Sequence, residues 1–228
     1  MNEVVKVVIV EGLDASGKDS LANRLVTLLE TEINETCKVI KEEFPRYGTR
    51  TGETIRRILY GELKDMKPNL PDFFRVDRAD YMARVKEKQL TADVYVFDRY
   101  SRSNVYCNGC REDIVKMAKD ELDLLIKTIG EVNAGKDVQI MEICVNYDYS
   151  TEETLRASIE LHKTYMGSRE TLDEHETESK QKMFADALEQ SHKLFREPEF
   201  KLTLGFDIEL TAKELVDALG YTFKEYKK

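Results

Sequence analysis

Val4 to Ser20 read VVKVVIVEGLDASGKDS. Six β-branched residues (Val4, Val5, Val7, Val8, Ile9 and Val10) crowd together with one polar interruption, Lys6. Such a run predicts a parallel strand covered on both faces, because a half-exposed strand would alternate with polar residues. It gives way to Gly12-Leu-Asp-Ala-Ser-Gly17-Lys18, after which Leu21, Leu25, Leu28 and Leu29 recur at helical spacing. Strand, glycine-bearing loop and helix form the setting that a phosphate-binding loop requires. Small residues let successive N–H groups turn inward around phosphate oxygens, the helix N-terminus adds partial positive charge, and Lys18 adds a full one. The expected phosphate-binding residues are Gly12, Ala15, Ser16, Gly17, Lys18, Asp19 and Ser20. An ordinary glycine-containing turn is the alternative. One position departs from the usual motif: Asp19 stands where a Ser or Thr hydroxyl normally meets Mg2+, with Ser20 next.

At 228 residues the chain can bury one substantial core, and one domain with a mobile insert is expected rather than two domains. Apolar residues make up 41% and charged residues 35%, as in a soluble globular protein. A net charge of −9 argues against a duplex nucleic-acid partner but not against a small phosphorylated substrate, for which only the local field matters. The early apolar run is split by Lys6 and followed at once by the loop, so it lacks signal-peptide form, and no run reaches transmembrane length. Four cysteines without a secretory signal suggest reduced thiols and a cytoplasmic location. Cys107-Asn-Gly-Cys110 is a CxxC without the second ligand pair of a zinc site or a thioredoxin-like setting, and reads as structural or incidental.

Beyond the first helix, Cys37–Phe44 reads as a second strand closed by Pro45. Arg46, Tyr47, Gly48, Thr49, Arg50, Thr51 and Gly52 then form a basic loop. Its two arginines could hold a second phosphate, arginine being suited to bidentate contact, or could simply face solvent. Pro71-Asp72 opens a helix predicted to run to about Leu90, with an apolar stripe that mixes Phe73, Phe74, Val76, Tyr81 and Met82 with Arg78. Val94–Phe97 is a third buried strand, ending in Asp98-Arg99-Tyr100. Ligands of open α/β sheets lie beyond the carboxyl ends of the strands, so Lys18 and Asp98 are expected at one edge. There a carboxylate can serve hydrated Mg2+ or an attacking oxygen; helix capping or an ion pair with Arg99 would be the structural alternative.

A helix is predicted over about Asp113–Gly130, a fourth strand over Val138–Val145, and a capping box at Ser150-Thr-Glu-Glu153. Between Arg156 and Gln190 apolar positions thin out and charges crowd in. A lid over roughly residues 150–180 would look like this, with Arg156 and Lys163 on one helical face and Arg169 beyond Gly167. A solvated helical hairpin fits the same composition. The acidic cluster Asp173, Glu174, His175 and Glu176 is expected at the surface. Lys201–Phe206 is the fifth strand, and Thr211-Ala-Lys-Glu214 a capping box for the terminal helix. Five strands alternating with helices specify a three-layer α/β fold with a parallel sheet.

Taken jointly, these motifs resemble the thymidylate kinase family of nucleoside monophosphate kinases. Glu11 to Lys18 resembles the family phosphate loop, in which the resemblance gives Asp14 the 3′-hydroxyl of the acceptor sugar. Phe44-Pro45 and the basic loop resemble the segment that contacts the acceptor phosphate. Phe74 with Asp77-Arg78 resembles the helix whose aromatic stacks on thymine and whose arginine hydrogen-bonds it. Asp98-Arg99-Tyr100, with Ser103-Asn104, resembles the signature that places an aspartate at the metal, an arginine on phosphate and Ser-Asn near the base. The resemblance implies a P-loop kinase fold with a helical lid, ATP and Mg2+, and a homodimer packed through sheet-flanking helices; the net charge and the lack of a long apolar run are what argue against nucleic-acid and membrane partners. The chemistry it implies is transfer of the ATP γ-phosphoryl to a deoxynucleoside monophosphate, dTMP foremost.

The sequence also departs from the family pattern. With Asp19 after Lys18, Mg2+ falls to Asp19 or Asp98. Ala15 stands where part of the family has a catalytic arginine, which moves that role to Arg156, Lys163 or Arg169. Tyr47 replaces the arginine expected two residues after Pro45, leaving Arg46 or Arg50 to substitute. Cys107 occupies a position where an aromatic commonly abuts the sugar, with Tyr106 one place earlier. The rival readings are a kinase for dUMP or a 5-substituted dUMP, a deoxynucleoside kinase, and a non-catalytic nucleotide-binding module.

Overall fold

The computed structural model of the protein describes residues 4–34, 36–167 and 178–224. Its elements run β1 (Val4–Gly12), α1 (Lys18–Thr31), β2 (Val39–Glu43), α2 (Arg50–Leu59), α3 (Leu70–Glu87), β3 (Val94–Asp98), α4 (Ser101–Cys107), α5 (Glu112–Val132), β4 (Asp137–Asn146), α6 (Glu152–Met166), α7 (Glu178–Leu194), β5 (Phe200–Thr203) and α8 (Ile208–Ala218). The strands form one five-stranded sheet in the order β2-β3-β1-β4-β5, with every neighbouring pair parallel.

The lack of alternation in β1 has its cause in the layers. Val8 and Val10 face α1 and α8, packing with Leu21, Leu25, Leu28, Leu215 and Val216. Val5, Val7 and Ile9 face the opposite way, toward Tyr81, Met82 and Val85 of α3 and Leu125 and Ile129 of α5. Both strand faces are therefore removed from water, at about 1.5–3 kcal/mol for each large apolar side chain. Register then fixes the working edge: Val10 lies beside Asp98, and Gly12 beside Val145, at the carboxyl ends of three adjacent strands.

Several boundaries differ from the sequence reading. β2 begins at Val39, so Cys37 precedes it. The cap of α6 is Thr151, whose extended backbone suits the role, and its reciprocal partner is Thr154 rather than Glu153. Asp207 caps α8 by accepting from the Leu210 N–H, which starts the helix earlier and leaves Thr211 inside it. β5 stops at Thr203, before a turn with Gly205 at φ +87°. The helix α4 was not foreseen from the sequence, nor was the packing of α7. Phe184, Ala185, Ala187 and Leu188 of α7 are buried, joining Tyr106, Cys144 and Tyr147 in one apolar cluster. These four residues fall in the charge-rich stretch between Arg156 and Gln190, beyond the lid expected over roughly 150–180, and they form a packed wall. Arg169 and the acidic cluster fall outside the described residues.

Buried ion pairs tie α4 to the sheet. Arg102, 0% exposed, donates from Nε and Nη2 to the two oxygens of Glu142 on β4 at 2.7 and 2.6 Å. It also donates to the Ser191 hydroxyl at 2.8 Å and the Arg196 carbonyl at 2.6 Å.

Candidate active site

Two glycines make the loop after β1 possible. Gly12 has φ +154°, and a Cβ there would stand 2.6 Å from the Val145 carbonyl oxygen. Gly17, at φ +86°, caps α1 without a side-chain hydrogen bond, so no capping side chain competes for the N–H groups of the first turn. Ala15 is also left-handed (φ +56°), and the Ser16 hydroxyl is buried without a hydrogen-bond partner. Lys18 is buried, its ammonium 3.4 Å from the Leu13 carbonyl and 3.9 Å from Asp14 Oδ1. Asp19 pairs with Lys41 at 2.9 Å and accepts from Asn23 at 3.0 Å.

At the end of β3, the Arg99 N–H donates to the Val10 carbonyl at 2.8 Å with φ +66°, a left-handed conformation held by the neighbouring strand. Its guanidinium donates to Asp14 Oδ1 and to the Tyr106 hydroxyl. Burial opposes the Arg99 charge, but Tyr106, Asp14 and Asp98 more than offset it and hold its pKa well above the usual range. Asp98 is 2% exposed, and among the described residues its Oδ1 has no hydrogen-bond partner. An unpartnered buried carboxylate oxygen is costly unless a cation or its water meets it, so Asp98 fits a hydrated divalent ion. Among the described residues no cluster of three or more His, Cys, Asp or Glu exists to hold a metal outright, which leaves water and phosphate oxygens to complete such a shell. Beneath this edge Glu11 is fully buried and accepts from the Tyr100 and Ser103 N–H groups and the Ser103 hydroxyl, at 2.8, 3.2 and 2.5 Å. Burial pushes its carboxyl up to about 7.

These groups open onto a cavity of about 350 Å3. Asp14, Lys18 and Asp19 line it from the loop and α1, Asp98, Arg99 and Tyr100 from the end of β3, and Phe74 and Arg78 from α3. Phe44 and Pro45, Ser103, Tyr106 and Cys107, and Gln181 and Phe184 complete most of the wall. Phe44 is fixed by edge contacts with Tyr81, Phe97 and Tyr100 at centroid distances of 5.6, 5.9 and 5.5 Å. Arg78 is held by an ion pair with Glu121 and lies 5.8 Å over the Tyr100 ring.

Other expected residues are not brought to the cavity. Arg46 is buried in pairs with Asp77 at 3.1 Å and Asp80 at 2.6 Å, so it fastens its loop to α3. Arg50 is exposed at the start of α2, and Ser20 is exposed on α1. Asn104 donates to the Pro71 carbonyl at 2.9 Å, joining α4 to α3 instead of lining the cavity. Arg156 is 75% exposed and paired with Glu152. Cys107 reaches the cavity wall, while the Cys110 thiol donates to the Ala187 carbonyl at 3.1 Å. Sequence reasoning missed Glu11 as a buried partner, although an acid closing a run of valines was a signal. It also missed His162, buried with Ser158 and Met166 at four-residue spacing on α6. Gln181 and Phe184 carried no signal of their own.

A left-handed, glycine-capped loop at a parallel sheet edge, facing a buried aspartate and arginine on the next strand, defines a phosphate-binding-loop α/β protein. The family model for thymidylate kinase matches residues 10–123, and the chain belongs to the thymidylate kinase family. A probable thymidylate kinase of Methanococcus vannielii is 30% identical over 151 residues, 66% of this chain and 64% of that relative's length. The fold is shared with thymidylate kinase from Candida albicans, at TM-score 0.59 and 16% identity over 96% of this chain and 97% of that one. It is likewise shared with thymidylate kinase from Ehrlichia chaffeensis, at TM-score 0.54 and 16% identity over 95% and 98%. No helix among the described residues is long and apolar enough to cross a membrane.

Proposed function

We propose that the protein transfers the γ-phosphoryl group of ATP to a deoxynucleoside monophosphate, with dTMP the preferred acceptor. The observation that carries this reading is the convergence of Lys18, Asp98 and Arg99 with Phe74 and Arg78 on one cavity. Cations and a carboxylate suit two phosphate chains, and an aromatic with an arginine suits a planar base.

In the mechanism we infer, Lys18 and the loop N–H groups bind the donor β- and γ-phosphates. Arg99 binds the acceptor phosphate and keeps its oxygen in line with the γ-phosphorus; the new P–O bond forms as the bond to the ADP oxygen breaks. Mg2+, when bound, would supply charge neutralisation at the donor phosphates. Asp98, with Asp19 at the rim, would hold that ion through water. Asp14 would meet the sugar 3′-hydroxyl, with Phe74 stacking on the base and Arg78 hydrogen-bonding it. Charge on the transferred group also requires a cation from the lid side. Arg156 and Lys163 sit in exposed pairs with Glu152 and Glu160, which are cheap to exchange for phosphate. Arg169 is the third candidate. The family resemblance further suggests a homodimer.

A coupled assay with ATP, Mg2+ and each common deoxynucleoside monophosphate tests the reading. dTMP is expected to give the highest kcat/KM, with Lys18→Ala and Arg99→Ala each lowering turnover by about 100-fold or more. Near-wild-type turnover in either variant would overturn the mechanism. Preference for dUMP or a 5-substituted dUMP would move the substrate while keeping the chemistry, and nucleotide binding without transfer at any Mg2+ concentration would leave only a binding module.

A further inference from the structure

Asp14 is held through both its backbone groups and its carboxylate, by residues far away in the chain. Its N–H donates to Gln181 Oε1 at 3.1 Å, and Gln181 Nε2 donates back to Asp14 Oδ2 at 2.8 Å. His162 Nε2 donates to the Asp14 carbonyl at 2.5 Å. A carbonyl only accepts, so Nε2 carries a proton, while Nδ1 is hydrogen-bonded with the Tyr147 hydroxyl at 2.8 Å. A glutamine amide suits its place because one planar group offers an acceptor to the loop N–H and a donor to the carboxylate.

This arrangement has an electrostatic purpose. The Asp14 carboxylate stands between two cations, bonded to Arg99 and 3.9 Å from the Lys18 ammonium. The 3.9 Å contact is already a long ion pair, and a carboxylate whose Oδ2 is released from Gln181 can shorten it and take up more of the charge that a donor phosphate needs. We propose that Gln181 and His162 are positioning residues for phosphoryl transfer, acting through Asp14 to hold its carboxylate off Lys18 and its peptide in the phosphate-binding shape. The proposal rests on the kinase reading above.

Gln181→Glu tests it. The charged glutamate keeps an acceptor for the loop N–H but sets a second carboxylate against Asp14, whereas the protonated form reproduces both hydrogen bonds. Among the described residues the groups facing it are Asp14, with Lys18, Arg99 and His162 around that residue, so turnover is read as the ratio of variant to wild type at each pH. We expect kcat for Q181E to fall by about tenfold or more at pH 8, with KM for ATP raised, and the ratio to recover toward one as pH falls to 5.5. Gln181→Met, which keeps bulk but neither hydrogen bond, should be impaired by a factor that does not change with pH. His162→Gln, which retains a donor for the Asp14 carbonyl, should keep most of the activity that His162→Leu loses.

A Q181E ratio that stays flat across pH while the wild-type enzyme turns over would overturn the positioning role and leave the kinase reading intact. A wild type inactive on every deoxynucleoside monophosphate would remove the kinase reading itself. Calorimetric titration with ADP gives a second readout, with binding to Q181E weakened at pH 8 and restored at pH 5.5. If Q181E does not fold at pH 8, the His162→Gln and His162→Leu pair decides, equal activity in the two overturning the proposal.

Discussion

Replacing Arg102 by methionine removes one half of an ion pair that water does not reach. The Arg102 side chain is 0% exposed and that of Glu142 3%, and the pair is bidentate. Truncating one partner of such a pair leaves a buried charge uncompensated and costs about 3–5 kcal/mol. Two details set the figure within that range. Arg102 also donates to the Ser191 hydroxyl and the Arg196 carbonyl and lies 5.1 Å over the Phe195 ring, so α7 and the chain after it lose their anchor as well. Against this, Arg196 Nε stands 3.7 Å from Glu142 and can take over part of the charge. The expected loss is therefore near the lower end, about 3 kcal/mol, a large share of the 5–15 kcal/mol typical of a folded domain. Urea unfolding followed by circular dichroism reads it as a lower midpoint at unchanged slope. Arg102→Met with Glu142→Leu removes both charges and should recover most of the loss. A single variant that costs under about 1 kcal/mol, or a double variant no better than the single, would refute the view that charge compensation at this site holds α4 and α7 against the sheet.

Asp98→Asn keeps the shape of a buried group with an unpartnered oxygen but removes its charge; turnover should fall by about 100-fold and require more Mg2+, as a titration of rate against metal would show. His192 is 4% exposed; among the described residues neither ring nitrogen is hydrogen-bonded, Glu189 Oε2 lying 3.6 Å from Nδ1, and burial together with the Arg102 and Lys201 charges lowers its pKa to about 4. Its folded value lies below the unfolded one of 6.5, so its neutral form is fully compatible with folding above pH 6.5 and stability is lost as pH falls toward 4; His192→Gln should flatten that limb in urea midpoints taken from pH 7 to 4. Glu11 has the opposite sign: burial raises it from 4.5 to about 7, so its contribution is fully present below pH 4.5 and lost as pH rises through 7. The stability of wild type relative to Glu11→Gln should fall over that interval, and a difference that rises would contradict the buried carboxyl.

The sheet was legible because burial on both faces leaves a direct mark: Val4–Val10 and Val94–Phe97 contain almost nothing polar. The phosphate loop was legible because its glycines answer a backbone demand, seen in the 2.6 Å that a Cβ at Gly12 would leave to Val145. Lys18 followed from the loop pattern and Asp98 from its place at a strand end, whereas the phosphate role of Arg99 came only from the family resemblance. Arg46 and Asn104 were misplaced because a charged or amide side chain in a loop reads alike whether it meets a ligand or a neighbouring helix. Only the coordinates show Asp77, Asp80 and the Pro71 carbonyl as their partners. Gln181 and His162 were invisible for a different reason: their significance comes from contacts to Asp14, 167 and 148 residues distant, and no local pattern records such a distance. α7 was underread because its buried face uses Ala185 and Ala187 beside Phe184 and Leu188, and small residues dilute the apolar stripe.

β1 is the middle strand of the sheet, with β3 on one side and β4 on the other. During synthesis β1 has no sheet partner until residues 94–98 emerge, and both flanks are covered only after residue 146. Until then the valine-rich ribbon lacks at least one strand neighbour, which makes it a natural client for a holdase at the ribosome. The cavity proposed for nucleotide is lined by residues from Leu13 to Phe184, so retention on an immobilised nucleotide should report completed assembly of the sheet rather than mere presence of the loop.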